Sequence, residues 1–428
     1  MRRACGRAAL LGALLALLLP GPSGGQGRRP QDPRPPFPYD VQEVTYFNAA
    51  EGLLLAGTLT VPPGPGPFPA AVLVSGSGPH DRDGQVAGHR PFRVLADQLA
   101  RQGVAVLRYD DRGVGGSEGD FGSATALDYV VDALAGVDFL AGQPRVDGGH
   151  VGIIGHSEGG LVAPLAAAES DQVAYVVLLA GPGIYGADLL LLQQLLIGQA
   201  EGVPAEELAI DQLLSTLYFE VLAAPTGAFQ AEMGLRRIWD GFLAGEILPE
   251  ALSQEQRAAL LARLLALGPV EREALTRLSF ESRLPQLLSP AFRFLVTYDP
   301  VPALEGLRVP VLAVNGSLDL QVPAHPNLDA IARALAAGGN PDYAVVELPG
   351  LNHLFQTAAT GAPSEYARIA QTLAPALLEL VGNWIVDHAG PAITAVAAAA
   401  RSLSVRPAPA RATAASMPRV LSCAAARR

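Results

Sequence analysis

The sequence predicts an α/β fold with a mostly parallel sheet covered by helices on both faces, and three observations predict it. Continuously apolar runs of strand length recur at 71–75, 104–108, 151–154, 175–179, 311–314 and 343–348, as strands buried on both sides require. Helical patterns at 91–101, 126–140, 159–169, 327–337 and 364–387 separate or follow them, the rhythm of βαβ units. Between 184 and 290 the rhythm stops, and the chain reads as helix alone, with apolar residues at 210, 213, 214, 217, 218 and 221 marking one 3.6-residue period.

Taken in order, Arg2, Arg3 and Arg7 precede an apolar run at 8–19, followed by Pro20 and small residues to Gly25. This is the pattern of an export signal at 1–25, with a run too short to span a bilayer. The expectation is a chain exported to the periplasm or beyond, with no stable membrane anchor after cleavage. Residues 26–39 are a Pro/Arg-rich linker. Two β-like runs, 41–47 and 53–61, flank "NAAEG" and suggest a hairpin. The α/β core then occupies 40–183 and 291–388, interrupted by a helical cap insertion at 184–290 that is expected over the carboxyl edge of the sheet. Residues 389–428 are Ala/Arg-rich without periodicity and are expected to be a disordered tail.

Composition removes several chemistries. Of 428 residues, 50% are hydrophobic and 17% charged, a globular balance. The formal charge of −11 gives no electrostatic footprint for nucleic acid. There is no lysine, so a Ser–Lys dyad, a Schiff base and a P-loop lysine are excluded. The two cysteines, Cys5 and Cys423, lie near the ends, outside the expected folded body. That leaves no cysteine nucleophile or thiolate zinc site there, and no metal or organic cofactor is implied.

The pattern G-x-S-x-G occurs three times, at 21–25, 115–119 and 155–159. A nucleophilic serine of this kind needs a strand, a very tight turn and a helix beginning at once. Only Ser157 has all three: "VGII" before, "GHSEGG" as the turn and "LVAPLAAAE" after. Ser117 sits in a glycine-rich loop, and the match at 21–25 falls in the export signal. The helix after Ser157 directs its amino end at the site, which favours an anion there. The Glu158 N–H is placed to bind a developing oxyanion, with its carboxylate expected at the helix start and facing away. A second N–H is expected from "SGSGPHDRDG", with Ser77 the choice and Gly78 next.

His156 adjoins Ser157, but neighbours on a sharp turn direct their side chains apart, so it is expected to be a packed or hydrogen-bonded turn residue. Among later histidines, His353 in "LPGLNHLFQ" follows a strand at the edge where Ser157 lies; His325 leads into a helix and His388 ends one. Asp319 in "VNGSLDLQVP" likewise follows a strand directly, which Asp299 and Asp329 do not. The expected triad is Ser157, Asp319 and His353, the acid holding the imidazole tautomer. Asp110, Asp111 and Arg112 read first as a salt-bridge network that orders a loop.

The ordered set "LVSGSGPHDRDG", "GVAVLRYDDRGVGGSEG", "VGIIGHSEGGLVAPLAA", "VLLAGPG", "FLVTYDP", "VLAVNGSLDLQVP" and "LPGLNHLFQ", over roughly residues 40–388, resembles the α/β-hydrolase superfamily. More narrowly, it resembles bacterial esterases related to dienelactone hydrolases and serine aminopeptidases. One departure is Ser75, where many relatives have histidine. The resemblance implies the same triad; with the export signal, the expectation is an exported serine hydrolase that cleaves carboxylic esters, and the leucine-rich stretch 189–197 points to an apolar acyl pocket for small or medium esters. Alternatives stay open: a peptidase, with Glu201, Glu206, Glu207 or Glu220 holding a substrate amine; a polysaccharide-ester deacetylase, with Trp239 and Phe242 against sugar; and a non-catalytic binding protein.

Overall fold

The structure is a computed structural model that describes residues 29–389. The expected export signal, the glycine-rich match at 21–25 and the tail from 390 onward lie outside the described residues.

Among the described residues, eight strands form one sheet. They are β1 (Asp40–Asn48), β2 (Leu53–Val61), β3 (Phe68–Val74), β4 (Ala105–Tyr109), β5 (Val146–His156), β6 (Val176–Leu179), β7 (Val311–Gly316) and β8 (Tyr343–Leu348). Their spatial order is β1-β2-β4-β3-β5-β6-β7-β8. The β1–β2 hairpin pairs antiparallel, Asp40 opposite Val61, and β2 runs antiparallel to β4. Every pairing from β4 through β3 to β8 is parallel. With helices on both faces, this is the α/β-hydrolase fold.

Alternation along the strands divides the core in two. Val72, Val176, Leu178, Val311 and Ala313 face one way, and α2 (Ala126–Ala141), α3 (Gly159–Glu169), α11 (Val301–Gly306) and α12 (Ala324–Ala337) cover them. Ala71, Leu73, Val177, Leu179, Leu312 and Val314 face the other way, under α1 (Pro91–Gln102) and α13 (Pro375–His388).

Two elements differ from the sequence reading. β5 starts five residues before 151, because Val146 pairs with Phe68 across a local irregularity in the ladder; the glycine pair at 148–149 reads as a turn in isolation. The helix expected over 364–387 is two pieces, a 3₁₀ turn at Pro363–Arg368 and α13 beginning at Pro375. Pro375 lacks the N–H that a helix interior needs and instead occupies the first helical position.

The insertion between β6 and β7 carries α4 (Gly186–Ala200), α5 (Ala205–Ala223), α6 (Ala228–Ala244), α7 (Gln254–Leu265), α8 (Pro269–Thr276), α9 (Leu284–Leu287) and α10 (Pro290–Thr297). Its own core is built on Leu214, Tyr218, Leu235, Trp239, Phe242 and Phe280. Phe292 and Val296 of α10 belong to that cluster, so the cap layer runs past residue 290, the boundary read from the sequence. Trp239 stacks on Phe280 at 5.5 Å and donates its indole N–H to Thr276. Both Trp239 and Phe242 are buried, which removes them as exposed sugar contacts. The cap docks where the strands end. Gln193 of α4 lies 3.5 Å from Gln321, and Glu201 accepts the N–H of Ser364.

One cap acid is badly solvated. Asp211 on α5 is 1% exposed, and neither carboxylate oxygen has a hydrogen-bond partner among the described residues. Burial pushes it up to about 7, with Arg283 pulling the other way. The folded protein therefore holds a proton that the unfolded chain releases near pH 4, and stability falls as pH rises from about 4 towards 7. Asp211→Asn should melt higher than wild type at pH 8, by about 4 kcal/mol of unfolding free energy for a rise from near 4 to about 7, and the gain should vanish at pH 4. Thermal melts at the two pH values check this.

Candidate active site

β5 ends at His156 and α3 begins at Gly159, leaving Ser157 and Glu158 as the whole turn. Ser157 adopts φ 56°, the left-handed region that side chains other than glycine rarely enter. Strain of this kind persists only where the surroundings over-determine the backbone, and here they do. The Ser157 N–H donates to the Leu179 carbonyl at 2.9 Å, and its carbonyl accepts the Gly160 N–H at 2.8 Å. The flanking glycines are required sterically: a Cβ on Gly155 would collide with the Gly159 carbonyl, and one on Gly159 with the Val74 carbonyl.

Asp319 lies in the loop after β7 and His353 in the loop after β8. The structure brings them together, with His353 Nδ1 2.9 Å from Asp319 Oδ2 and both side chains buried. The other carboxylate oxygen, Oδ1, accepts the N–H groups of Gln321 and Val322 at 2.8 and 2.9 Å. These bonds fix the carboxylate plane, so the imidazole orientation is fixed in turn.

His156 acts on the same loop. Its Nε2 lies 3.0 Å from the His353 carbonyl oxygen, and the two rings sit 4.9 Å apart. An acceptor carbonyl there assigns the proton to Nε2. Burial, with the His353 ring adding to it, pushes His156 down to about 3, so it is neutral at physiological pH. His156 is therefore a hydrogen-bonded turn residue, and it ties the Ser157 turn to the backbone of His353.

The loop after β3 passes directly beside Ser157. A Cβ built on Gly76 would stand 3.0 Å from Ser157 Cβ and 3.5 Å from its Oγ. Ser77, the expected second N–H donor, follows at once. The side chain of Glu158 departs from the reading that turned it away. It is buried, and its Oε2 accepts the Ser77 hydroxyl at 2.5 Å. Burial pushes this carboxyl up, with the Ser77 bond opposing. A side chain at a helix start reads as solvated in sequence; only the return of the β3 loop over it reveals its burial.

The remaining charged residues separate by role. Arg82 grips Asp110 through two nitrogens, and Arg112 grips Asp132 and Asp128, an ion network that orders the loops. Asp111 stands apart from it, accepting from Ser75 Oγ at 2.7 Å and from the His80 N–H at 2.9 Å. Burial pushes Asp111 up to about 7 against those bonds. Ser117 donates to the Asp110 carbonyl and accepts the Ala56 N–H, so its hydroxyl is fully used in the loop. His325 is exposed and His388 stacks on Trp384. Glu201 is engaged with Ser364, and Glu206 with Arg263. A cavity of about 360 Å³ beside β1, β2 and β4, lined by Tyr39, Arg82 and Arg108, includes no member of the expected triad. Among the described residues no cluster of three or more His, Cys, Asp or Glu could hold a metal ion, and no helix is long and apolar enough to cross a membrane.

Comparison with known proteins gives three findings. Residues 88–216 match the family described as serine aminopeptidase, S33, a span that holds Ser157 but neither Asp319 nor His353. The chain is 37% identical over 128 residues to esterase EstD of Thermotoga maritima, a match covering 30% of each protein. Among solved structures, DcsB in complex with its substrate analogue aligns at TM-score 0.46 and 17% identity, covering 82% of this chain and all of that one. The Pyrococcus furiosus esterase Pf2001 aligns at 0.44 and 15%, covering 82% and 92%.

Proposed function

From a chain that has the α/β-hydrolase fold and is similar to its esterase-like group, we propose an exported serine hydrolase that cleaves carboxylic esters through Ser157, His353 and Asp319. The observation that supports this most is the buried His353–Asp319 pair, 2.9 Å apart and tied through His156 to the strained Ser157 turn. In this reading Ser157 Oγ attacks the acyl carbonyl and His353 Nε2 takes its proton, while Asp319 holds Nδ1–H in place. The N–H groups of Glu158 and Ser77 receive the charge that develops on the carbonyl oxygen. The tetrahedral adduct collapses, the C–O bond to the alcohol breaks, and the alcohol leaves with the proton from His353. Water then repeats the sequence on the acyl-enzyme and releases the acid.

The substrate side rests on α4. Leu189 and Leu196 lie about one turn on either side of Gln193, which reaches Gln321 beside Asp319. That places an apolar helix face next to the acid-bearing loop and favours an acyl group of small or medium length. A second reading, a serine peptidase, draws on the description of the family matched at 88–216. It needs a carboxylate free to hold a substrate amine.

The test is hydrolysis of p-nitrophenyl esters from acetate to dodecanoate, beside alanine p-nitroanilide, by the wild-type protein. Ester turnover that declines with long chains is the expected result. Cleavage of the anilide alone moves the assignment to the peptidase, and no turnover of either by folded protein removes the hydrolase reading.

A further inference from the structure

The loop between β3 and α1 carries one of the two N–H groups assigned to the oxyanion, and a backbone donor works only if its loop is held in place. Two buried acids hold this one. Ser77 Oγ donates to Glu158 Oε2 at 2.5 Å, and Ser75 Oγ donates to Asp111 Oδ1 at 2.7 Å. His80 closes the far side, its N–H on Asp111 Oδ2 at 2.9 Å and its Nε2 3.0 Å from the Ser77 carbonyl. Between the two serines, Gly76 makes the close approach to Ser157. Glu158 is 7% exposed, and its Oε1 is buried with no hydrogen-bond partner among the described residues. A buried carboxyl with one oxygen unpaired costs stability, so structural need alone does not account for it. Its single bond goes to the loop that faces the nucleophile.

We propose that Glu158 is a positioning residue whose carboxyl, through Ser77 Oγ, fixes the loop carrying the second oxyanion donor, while its own backbone N–H supplies the first. One residue then sets the spacing between both donors. The proposal rests on the serine-hydrolase reading above. It predicts an effect on the transition state and little on substrate binding, because the tetrahedral oxyanion needs both donors far more than the ground-state carbonyl does.

The experiment measures kcat and KM on p-nitrophenyl acetate, together with stoichiometric labelling by a fluorophosphonate. It compares wild type, Ser157→Ala, Glu158→Ala, Glu158→Gln, Ser77→Ala and the Glu158→Ala/Ser77→Ala double variant. Loss of a held donor geometry should lower kcat roughly 10- to 100-fold in Glu158→Ala and in Ser77→Ala, with KM within about threefold. The double variant should be no worse than the weaker single one, because both substitutions break the same bond. Glu158→Gln keeps an oxygen that accepts the Ser77 hydroxyl and should stay within about fivefold of wild type. It also covers the case in which Glu158→Ala fails to fold. Kinetic losses that multiply in the double variant overturn the proposal, as does a Glu158→Gln enzyme that folds but is as slow as Ser77→Ala. An active, labelled wild type beside an unimpaired Glu158→Ala overturns it while leaving the hydrolase reading intact. A wild type that is neither labelled nor active removes that reading and the proposal with it.

Discussion

Ser157→Ala is expected to lower kcat for ester hydrolysis by about 10⁴-fold or more, the scale seen when a triad nucleophile is deleted, with little change in melting temperature. The second half of that expectation follows from the backbone. Alanine and serine meet the same penalty at φ 56°, and the bonds from the Ser157 N–H to Leu179 and from the Gly160 N–H to Ser157 involve no side chain. Ser157→Gly should be equally inactive yet more stable by about 1 kcal/mol, since glycine enters the left-handed region freely. The pair thus separates chemistry from folding at one position. Steady-state kinetics with p-nitrophenyl acetate and thermal melts of the three proteins decide it. If Ser157→Ala retained more than about 1% of wild-type kcat, another nucleophile would have to be sought. Ser117 would be a poor choice, since its hydroxyl is already bonded to Ala56 and Asp110.

The signals that make Ser157, Asp319 and His353 the expected triad lie close to each residue in the chain. The turn at Ser157 is a local event: a strand, a two-residue turn and a helix in unbroken succession from Val146 to Glu169, forced by glycines whose missing Cβ atoms make room for neighbouring backbone. Asp319 and His353 are 34 residues apart, yet each directly follows a parallel strand. Parallel neighbours end at the same edge, so a loop's place in the βαβ rhythm carries its place in space. What stayed illegible depends on contacts between distant segments. The burial of Glu158 is made by the loop after β3, 81 residues away from it at Ser77. The isolation of Asp211 inside the cap, and the joining of Phe292 and Val296 to the cap core, arise from helix packing that a 3.6-residue period does not encode. Pro375 was readable as a helix start and is overridden in a periodicity reading only because the apolar pattern runs on through it.

Asp319→Asn should cost about 10³- to 10⁴-fold in kcat while leaving the fold in place, and the reason lies in how the carboxylate is divided. Oδ1 serves the backbone, accepting from Gln321 and Val322; Oδ2 serves His353. An asparagine keeps its carbonyl oxygen on the two N–H groups, so the loop survives, and its amide nitrogen then faces His353 Nδ1. A donor now opposes the Nδ1–H donor, and the imidazole relieves the clash by moving its proton to Nε2. That nitrogen can no longer take the proton of Ser157. Asp319→Ala removes both functions, so it should lose stability as well, leaving the N–H groups of Gln321 and Val322 short of a buried acceptor at about 1–3 kcal/mol. The asparagine variant therefore isolates the tautomer and the alanine variant adds the loop. Equal melting temperatures for wild type and Asp319→Asn, with kcat down by three orders of magnitude or more, is the expected outcome. A kcat within tenfold of wild type would mean that another acid orients His353. Asp329 is a weak substitute, since it is exposed and lies 3.7 Å from the exposed His325 instead.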